Sequence, residues 1–206
     1  MIPVRKLEWV WRAILSDPTT SLHQQTLAER LHLSLSTVNA ALRVPRRAGA
    51  IDVTHSGIHL RDQHKLLTIW SVFRDLRADT VAELRLDASA EEIEGDMIPQ
   101  ARFSGASACK LHLGIAPANY DSVLVYLNPS DLPTLHKRFA VRRSMVRTAS
   151  LVRPANLIVL RPDPYLPILV PPSQVYADLW QLPNWWATEF WKALGEGMQE
   201  HVNVLP

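Results

Sequence analysis

The 206-residue sequence has little of what secreted, membrane-spanning or disulfide-rich proteins require. Its one cysteine, Cys109, excludes a disulfide within the chain. No apolar run approaches the roughly 20 residues of a membrane-spanning helix. The start of the chain lacks the long apolar core and small-residue cleavage site of a secretion signal. We therefore expect a cytoplasmic protein that makes no membrane contact.

The charge of the chain is small but unevenly distributed. The formal net charge is +2, and 47% of the residues are hydrophobic, which is enough for a globular core. Residues 1–77 carry 11 Lys/Arg and 6 Asp/Glu, a net +5, whereas residues 78–206 carry 11 and 14, a net −3. This distribution is typical of a basic module that binds phosphate groups, joined to a second module that does not. A chance fluctuation of a few charges is the alternative.

Hydrophobic spacing predicts three helices and a β-hairpin at the N-terminus. Asp17-Pro18 ends the first helix, Ser21 or a neighbour caps the second, and Pro45 stops or bends the third. The predicted elements are helices over 4–16, 21–31 and 34–45, hairpin strands over 50–53 and 58–60, and a fourth helix over 62–77.

The rest of the chain alternates predicted strands and helices, so the fold class is α+β, with a mixed α/β C-terminal domain. We expect a domain over 1–77, a linker helix over 78–96 and a second domain over 97–206. The elements predicted there are helices over 103–113, 131–139, 173–181 and 183–198, and strands over 122–127, 156–160 and 168–170.

The segment from Leu27 to Leu42 carries the clearest motif in the sequence. Ala28 is small enough for two helices to cross closely, and Leu33 fills the space under the turn. Ser34 is placed to cap the next helix, which Val38 and Leu42 anchor to the core. With the hairpin that follows, this pattern resembles the winged helix-turn-helix superfamily.

The resemblance implies that the helix beginning at Ser34 reads base edges in the major groove of duplex DNA. Asn39 can pair with adenine, and Arg43 with guanine or phosphate. The hairpin serves as the wing. The predicted DNA-binding residues are Ser34, Leu35, Ser36, Thr37, Asn39, Ala40 and Arg43 on the helix, Arg46, Arg47 and Arg61 for flanking phosphates, and His55 and Ser56 at the hairpin tip. A helical unit used for protein contacts is the alternative.

Two later segments resemble AbiEi-type regulators, the antitoxins of abortive-infection systems and their stand-alone relatives. These segments are Phe103–Gly114 with the apolar run Val123–Leu127, and Val170–Leu179. The resemblance implies a winged helix joined to a C-terminal domain that binds a toxin or another protein partner. Because operators are commonly two-fold symmetric, a homodimer is expected.

A nucleotidyltransferase-like domain is the rival for the C-terminal part. Gly105-Ala106-Ser107 with Asp121 downstream fits such a fold, but the chemistry needs two metal-binding carboxylates one residue apart. Ser122 and Val123 follow Asp121, so the second carboxylate is missing. We expect at most a degenerate version of that fold, no enzyme activity and no cofactor.

Other side-chain clusters fit packing or surface roles better than chemistry. Ser104, Ser107, Cys109 and His112 share a predicted helix without a Gly-x-Ser-x-Gly elbow. His55, His59 and His64 lack a cysteine pair or carboxylate at metal-site spacing, so no metal is predicted.

Two further groups stay open. The first is the basic run Lys137, Arg138, Arg142, Arg143 and Arg147, which extends the DNA footprint, contacts RNA, pairs with Glu91, Glu92 and Glu94, or is solvated. The second is the tryptophan group Trp180, Trp185, Trp186 and Trp191, of which two are expected in the core.

Overall fold

A computed structural model of the chain describes residues 4–16, 22–145 and 154–203. The described part is mixed α+β, as predicted. Its helices are α1 (Val4–Ser16), α2 (Gln24–Arg30), α3 (Leu35–Arg47), α4 (Gln63–Phe73), α5 (Leu76–Asp79), α6 (Ala90–Gly95), α7 (Gly105–Leu113), α8 (Leu132–Met145), α9 (Pro172–Trp180) and α10 (Trp185–Asn203). Its strands are β1 (Ile51–Thr54), β2 (Gly57–Leu60), β3 (Thr80–Leu86), β4 (Arg102–Ser104), β5 (Ser122–Tyr126) and β6 (Ala155–Leu160).

The N-terminal helices α1–α4 and the hairpin β1–β2 share one hydrophobic core. Val38 and Leu42 on α3 are buried, as the motif predicted, together with Trp11 of α1 and Trp70 of α4. Strands β1 and β2 pair antiparallel, and Leu22 adds a bridge to Ile58. The predicted Asp17-Pro18 stop and the Ser21 cap lie outside the described residues.

Helix α3 continues through Pro45 to Arg47, so that of the two expected effects, a stop or a bend, the stop does not occur. A proline at position 45 has no N–H to donate to the carbonyl of Ala41, four residues earlier. The buried indole of Trp11 fills this gap, since its Nε1 donates to the Ala41 carbonyl at 2.8 Å. A side chain from α1 thus replaces the missing helical donor.

The C-terminal part is built on a four-stranded sheet of order β3-β6-β5-β4. Only β5 and β6 pair parallel; the two outer pairs are antiparallel. Because side chains alternate along a strand, β5 packs Leu124 and Tyr126 on one face and Val123 and Val125 on the other. The first face carries α7, α9 and α10, whereas α6 and α8 cover the second.

Several predicted elements differ from the structure. The predicted linker helix over 78–96 contains strand β3, followed by the short helix α6. Residues 102–104 form β4 instead of opening the helix that follows. The predicted helix over 62–77 is interrupted after Phe73. Residues 168–170 form no strand, because prolines flank them and the Val170 carbonyl accepts a hydrogen bond from His112.

A buried polar network joins the N-terminal helices to the sheet. Asp178 on α9 has no exposed surface, and its carboxylate accepts hydrogen bonds from the side chains of Arg74, Ser104, Tyr126 and Gln174 at 2.6–3.0 Å. Each of its oxygens therefore has two donors, which compensates for the burial of the charge.

A second contact zone lies beside this network. On α1, Arg12 donates to Asp163 at 2.7 Å and to Gln174 at 2.9 Å. The Tyr165 hydroxyl donates to the Leu31 carbonyl at 2.7 Å, and its ring packs against Trp9. The parts predicted as two domains are therefore in close, desolvated contact.

None of the helices in the described ranges 4–16, 22–145 and 154–203 has the length and apolarity needed to cross a bilayer.

Candidate nucleic-acid interface

The turn between α2 and α3 has a defined backbone geometry. His32 adopts φ of 48°, in the left-handed region, and ends α2. The N–H of Leu33 donates to the Ala28 carbonyl at 2.8 Å, and that of His32 to the Glu29 carbonyl at 3.2 Å. This is the Schellman arrangement, with histidine where glycine is usual. The arrangement turns the chain sharply, and α3 begins at Leu35, two residues after Leu33.

Ser34 caps α3, as predicted. Its Oγ accepts a hydrogen bond from the Thr37 backbone N–H at 3.2 Å. The same oxygen is hydrogen-bonded to the hydroxyls of Ser36 at 2.8 Å and Thr37 at 2.9 Å. Three hydroxyls thus cluster at the positive end of the α3 dipole, where an anion such as phosphate is favoured.

The predicted reading face of α3 is open to solvent. Ser34, Leu35, Ser36, Asn39 and Arg43 are exposed, whereas Thr37 and Ala40 are half-buried. The opposite side of the helix is buried in the core through Val38, Ala41 and Leu42. Within the described residues, the structure therefore separates a polar, solvent-facing side from an apolar one.

The C-terminal half of α3 carries three exposed arginines, Arg43, Arg46 and Arg47. None of them forms an ion pair with any residue that the structure describes. Cations in the last turn stabilise a helix by interacting with its dipole, which accounts for the placement of Arg46 and Arg47. Together with Asn39, they line an open cleft of about 550 Å³ between α3 and the hairpin.

Sequence reasoning missed two residues of this cleft. Gln24, at the start of α2, and Val53, on β1, line it beside the arginines. Gln24 was counted as part of a helix and Val53 as part of a hairpin strand. Only the fold brings them next to α3, and no signal in the sequence assigns them to this surface.

The predicted wing residues behave differently from one another. His55 and Ser56 form the exposed two-residue turn of the hairpin. Ser56 Oγ is hydrogen-bonded to Nε2 of His59 at 2.9 Å. Arg61 is not a free cation, because its Nε contacts the Asp52 carboxylate at 2.6 Å. Both members of this pair are at least half-exposed, so the pair adds little stability.

In the C-terminal part, Asp121 is distant from Asp131, the next carboxylate along the chain. Asp121 precedes β5 and accepts a hydrogen bond from the Trp186 indole at 2.9 Å. Asp131 lies beyond the other end of β5, in a 3-10 turn. All five residues of β5 are buried and none of them is acidic. The two carboxylates therefore do not converge on one site.

Three of the four side chains in the predicted serine, cysteine and histidine cluster have separate partners. Ser104 Oγ donates to Asp178, Cys109 Sγ to the Phe190 carbonyl, and His112 is paired with the Val170 carbonyl. Burial raises the pKa of the Cys109 thiol to about 12, so it is protonated and unreactive at neutral pH. Ser107 is buried and has no hydrogen-bonding partner among the described residues. Within the described part of the chain, none of these serines and the cysteine has a hydrogen bond to a histidine.

The tryptophans divide between core and surface. Trp186 is buried, Trp180 and Trp191 pack partly buried with ring centroids 4.8 Å apart, and Trp185 is 70% exposed. No group of three potential metal-ligating side chains is present among the residues described.

The basic run on α8 lies on the far face of the sheet from the N-terminal helices. Leu135 and Phe139 of α8 pack on that face, whereas α4 packs against α9 on the other. Lys137 and Arg138 are exposed there without an ion pair to a described residue, and Arg147 lies outside the described range. The placement of α8 on the opposite face of the sheet argues against the interpretation that its basic residues extend a DNA-binding surface on α3.

Comparison of the chain with protein-family models, with curated proteins and with solved structures finds no significant match.

Proposed function

We propose that this protein is a sequence-specific regulator that binds duplex DNA through α3 in the major groove, with the β1–β2 hairpin as a wing. The observation that supports this most directly is the face of α3, on which the side chains of Asn39 and Arg43 are exposed to solvent. Arginine pairs with guanine and asparagine with adenine by bidentate hydrogen bonds.

Charge complementarity supports the same proposal. Arg43, Arg46 and Arg47 border an open cleft without a neutralising carboxylate from the described residues. A duplex presents closely spaced phosphates on both sides of the major groove, and arginines on either side of a reading helix neutralise them. The hydroxyls at the start of α3 suit a further phosphate.

The experiment uses the full-length chain and a duplex that it enriches from a random pool. We expect Asn39→Ala and Arg43→Ala each to cost about 1–3 kcal/mol of binding free energy on the enriched duplex and to relax its base preference. Arg47→Ala should weaken all duplexes alike and reduce the slope of log K against log salt by about one. Fluorescence anisotropy over a series of salt concentrations measures both effects.

Arg138→Ala provides the matched control, because it removes an exposed arginine on the opposite face of the sheet. It should leave affinity and salt slope unchanged. Wild-type affinity of the Asn39→Ala/Arg43→Ala double variant at every salt concentration would exclude α3 as the reading helix.

A homodimer on a two-fold operator is the assembly that this reading mode favours. Sedimentation of the protein on the enriched duplex should then give two chains per duplex, with half-sites about one helical turn apart. A stoichiometry of one chain per duplex contradicts this assembly without affecting the reading mode.

A second candidate function, binding of a protein partner such as a toxin, is favoured by exposed apolar side chains of the C-terminal part. Trp185 is 70%, Ile168 84% and Leu169 60% exposed. Exposed aromatic and aliphatic side chains are common anchors of protein interfaces. The purified full chain, mixed with the purified product of the adjacent reading frame, should form a complex that Trp185→Ala weakens; failure to co-elute contradicts this candidate.

A further inference from the structure

Leu35 occupies a distinctive position on the surface proposed to read DNA. It is the first residue of α3, next to the cap Ser34, and its side chain is 48% exposed. Single exposed leucines are ordinary on protein surfaces. This one, however, stands at the N-terminal end of the helix, which approaches base edges most closely in this binding mode.

The spacing along α3 places Leu35 in line with the two polar reading residues. Asn39 and Arg43 follow at four and eight positions, so all three share one stripe of the helix. The neighbouring hydroxyls of Ser36 and Thr37 are held by Ser34 Oγ at 2.8 and 2.9 Å. The end of the stripe is therefore apolar, and the hydroxyls beside it are already hydrogen-bonded to Ser34.

The floor of the major groove offers such a side chain one apolar partner, the methyl group on C5 of a pyrimidine. Most other groups at the base edges are hydrogen-bond donors and acceptors, which a leucine would desolvate without compensation. We propose that Leu35 reads a 5-methylpyrimidine, so that the preferred duplex carries a thymine or a 5-methylcytosine at the base opposite Leu35. This inference rests on the proposed DNA-binding function.

The test removes or adds this methyl group alone. In the duplex enriched by the full-length chain, each thymine is replaced in turn by deoxyuridine, and in a second series each cytosine by 5-methylcytosine. We expect one position per half-site at which the methylated base binds about fourfold more tightly, the ratio that corresponds to burial of one methyl group. The first series detects thymine as the source of the methyl group, and the second detects 5-methylcytosine.

The protein variants show whether Leu35 causes the preference. Leu35→Ala should bring the ratio between methylated and unmethylated duplexes close to one, while Leu111→Ala, which truncates another exposed leucine on α7, should leave it unchanged. Arg47→Ala should weaken both duplexes and preserve their ratio.

The outcomes separate this inference from the proposed function. Enriched duplexes that bind with steep salt dependence but show no methyl effect at any position, or a methyl effect that survives in Leu35→Ala, overturn the inference and leave the DNA-binding function intact. Absence of any specific duplex binding overturns both.

Discussion

At the scale of single residues, charged side chains in the interior depend on partners that are distant in the sequence. Asp178 receives hydrogen bonds from Arg74 and Ser104, which precede it by 104 and 74 positions. Sequence reasoning placed Arg74 on a helix and Asp178 in a resemblance to a family. It could not pair them, because nothing in their local pattern encodes a contact across the fold.

Trp11→Phe tests the replacement of the missing helical donor in α3. The Ala41 carbonyl would lose its hydrogen bond to the indole, and a buried unpaired carbonyl costs about 1–3 kcal/mol. We expect a lower free energy of unfolding, measured by urea denaturation.

The double variant Trp11→Phe/Pro45→Ala provides the control, because an alanine at position 45 supplies the N–H that proline lacks. It should lose less stability than the sum of the two single variants, since the restored amide can donate to Ala41. Strict additivity would show that the indole and the proline act independently.

Glu8 gives the stability a pH dependence with a definite sign. Burial raises the pKa of this carboxyl group, and Asp79 and Asp178 nearby raise it further, while Arg74 at 3.6 Å acts to lower it. The folded state then holds a proton that the unfolded state has released above about pH 4.5. Glu8 therefore lowers the free energy of unfolding as pH rises through this window.

Glu8→Gln removes this titration and keeps the shape of the side chain. Relative to the wild type, the variant should become more stable as pH is raised from 5 to 8, in denaturant titrations at each pH. A wild-type advantage that grows with pH would show that the ion pair with Arg74 outweighs the cost of burial.

At the scale of elements, local pattern predicted the N-terminal helices and the hairpin well and the sheet less well. Helices α1–α3 carry regular apolar spacing, and the hairpin has a short polar turn between two apolar strands. Strand β3 lies inside the segment that was predicted as a linker helix over 78–96. It becomes a strand because it pairs with β6, a contact that local propensity does not contain.

The candidate site on α3 and the hairpin was predicted from the sequence only in part. The exposed side of α3 follows from helical periodicity once the core positions Val38 and Leu42 are assigned. The pairing of Arg61 with Asp52 did not follow, since Asp52 lies within the first predicted strand and Arg61 beyond the second, nine residues later. Their side chains meet only when the hairpin closes, with Asp52 opposite His59 in the register.

Asp52→Asn should release Arg61 toward the duplex. The change removes a negative charge beside the reading surface and a partner at 2.6 Å. We expect tighter binding of duplex DNA at low salt and a steeper slope of log K against log salt by about one, by anisotropy. Arg61→Ala in the same background should restore the wild-type slope; a slope insensitive to Asp52→Asn would place Arg61 outside the interface.

At the scale of the whole molecule, the N-terminal helices and the sheet do not form independent cores. Ala177 of α9 packs in the hydrophobic core that α1–α4 share with the hairpin. Leu67 and Leu76 pack in the core between the sheet and helices α7, α9 and α10. The division at residue 77 was drawn where charge and composition change. These quantities describe surfaces well, but they contain no information on which apolar faces meet.

A fragment of residues 1–77 tests this dependence directly. It lacks Asp163, Gln174 and Asp178, so that Arg12 and Arg74 lose their buried partners, and the face of α4 that packs on α9 becomes exposed. We expect no cooperative thermal transition by circular dichroism, whereas the full chain shows one. A fragment that melts cooperatively and gives a dispersed NMR spectrum would identify an autonomous N-terminal domain.

The neighbouring residues Trp11 and Arg12 of α1 couple the positions of α3 and α9. Trp11 donates a hydrogen bond to the Ala41 carbonyl in the middle of α3, while Arg12 donates to Asp163, in the segment after β6, and to Gln174, in the first turn of α9. One turn of α1 thus connects α3 on one side to α9 on the other. A displacement of α9 would therefore be transmitted through α1 to the helix proposed to lie in the groove, and a change in the tilt of α3 would strain the same hydrogen bonds.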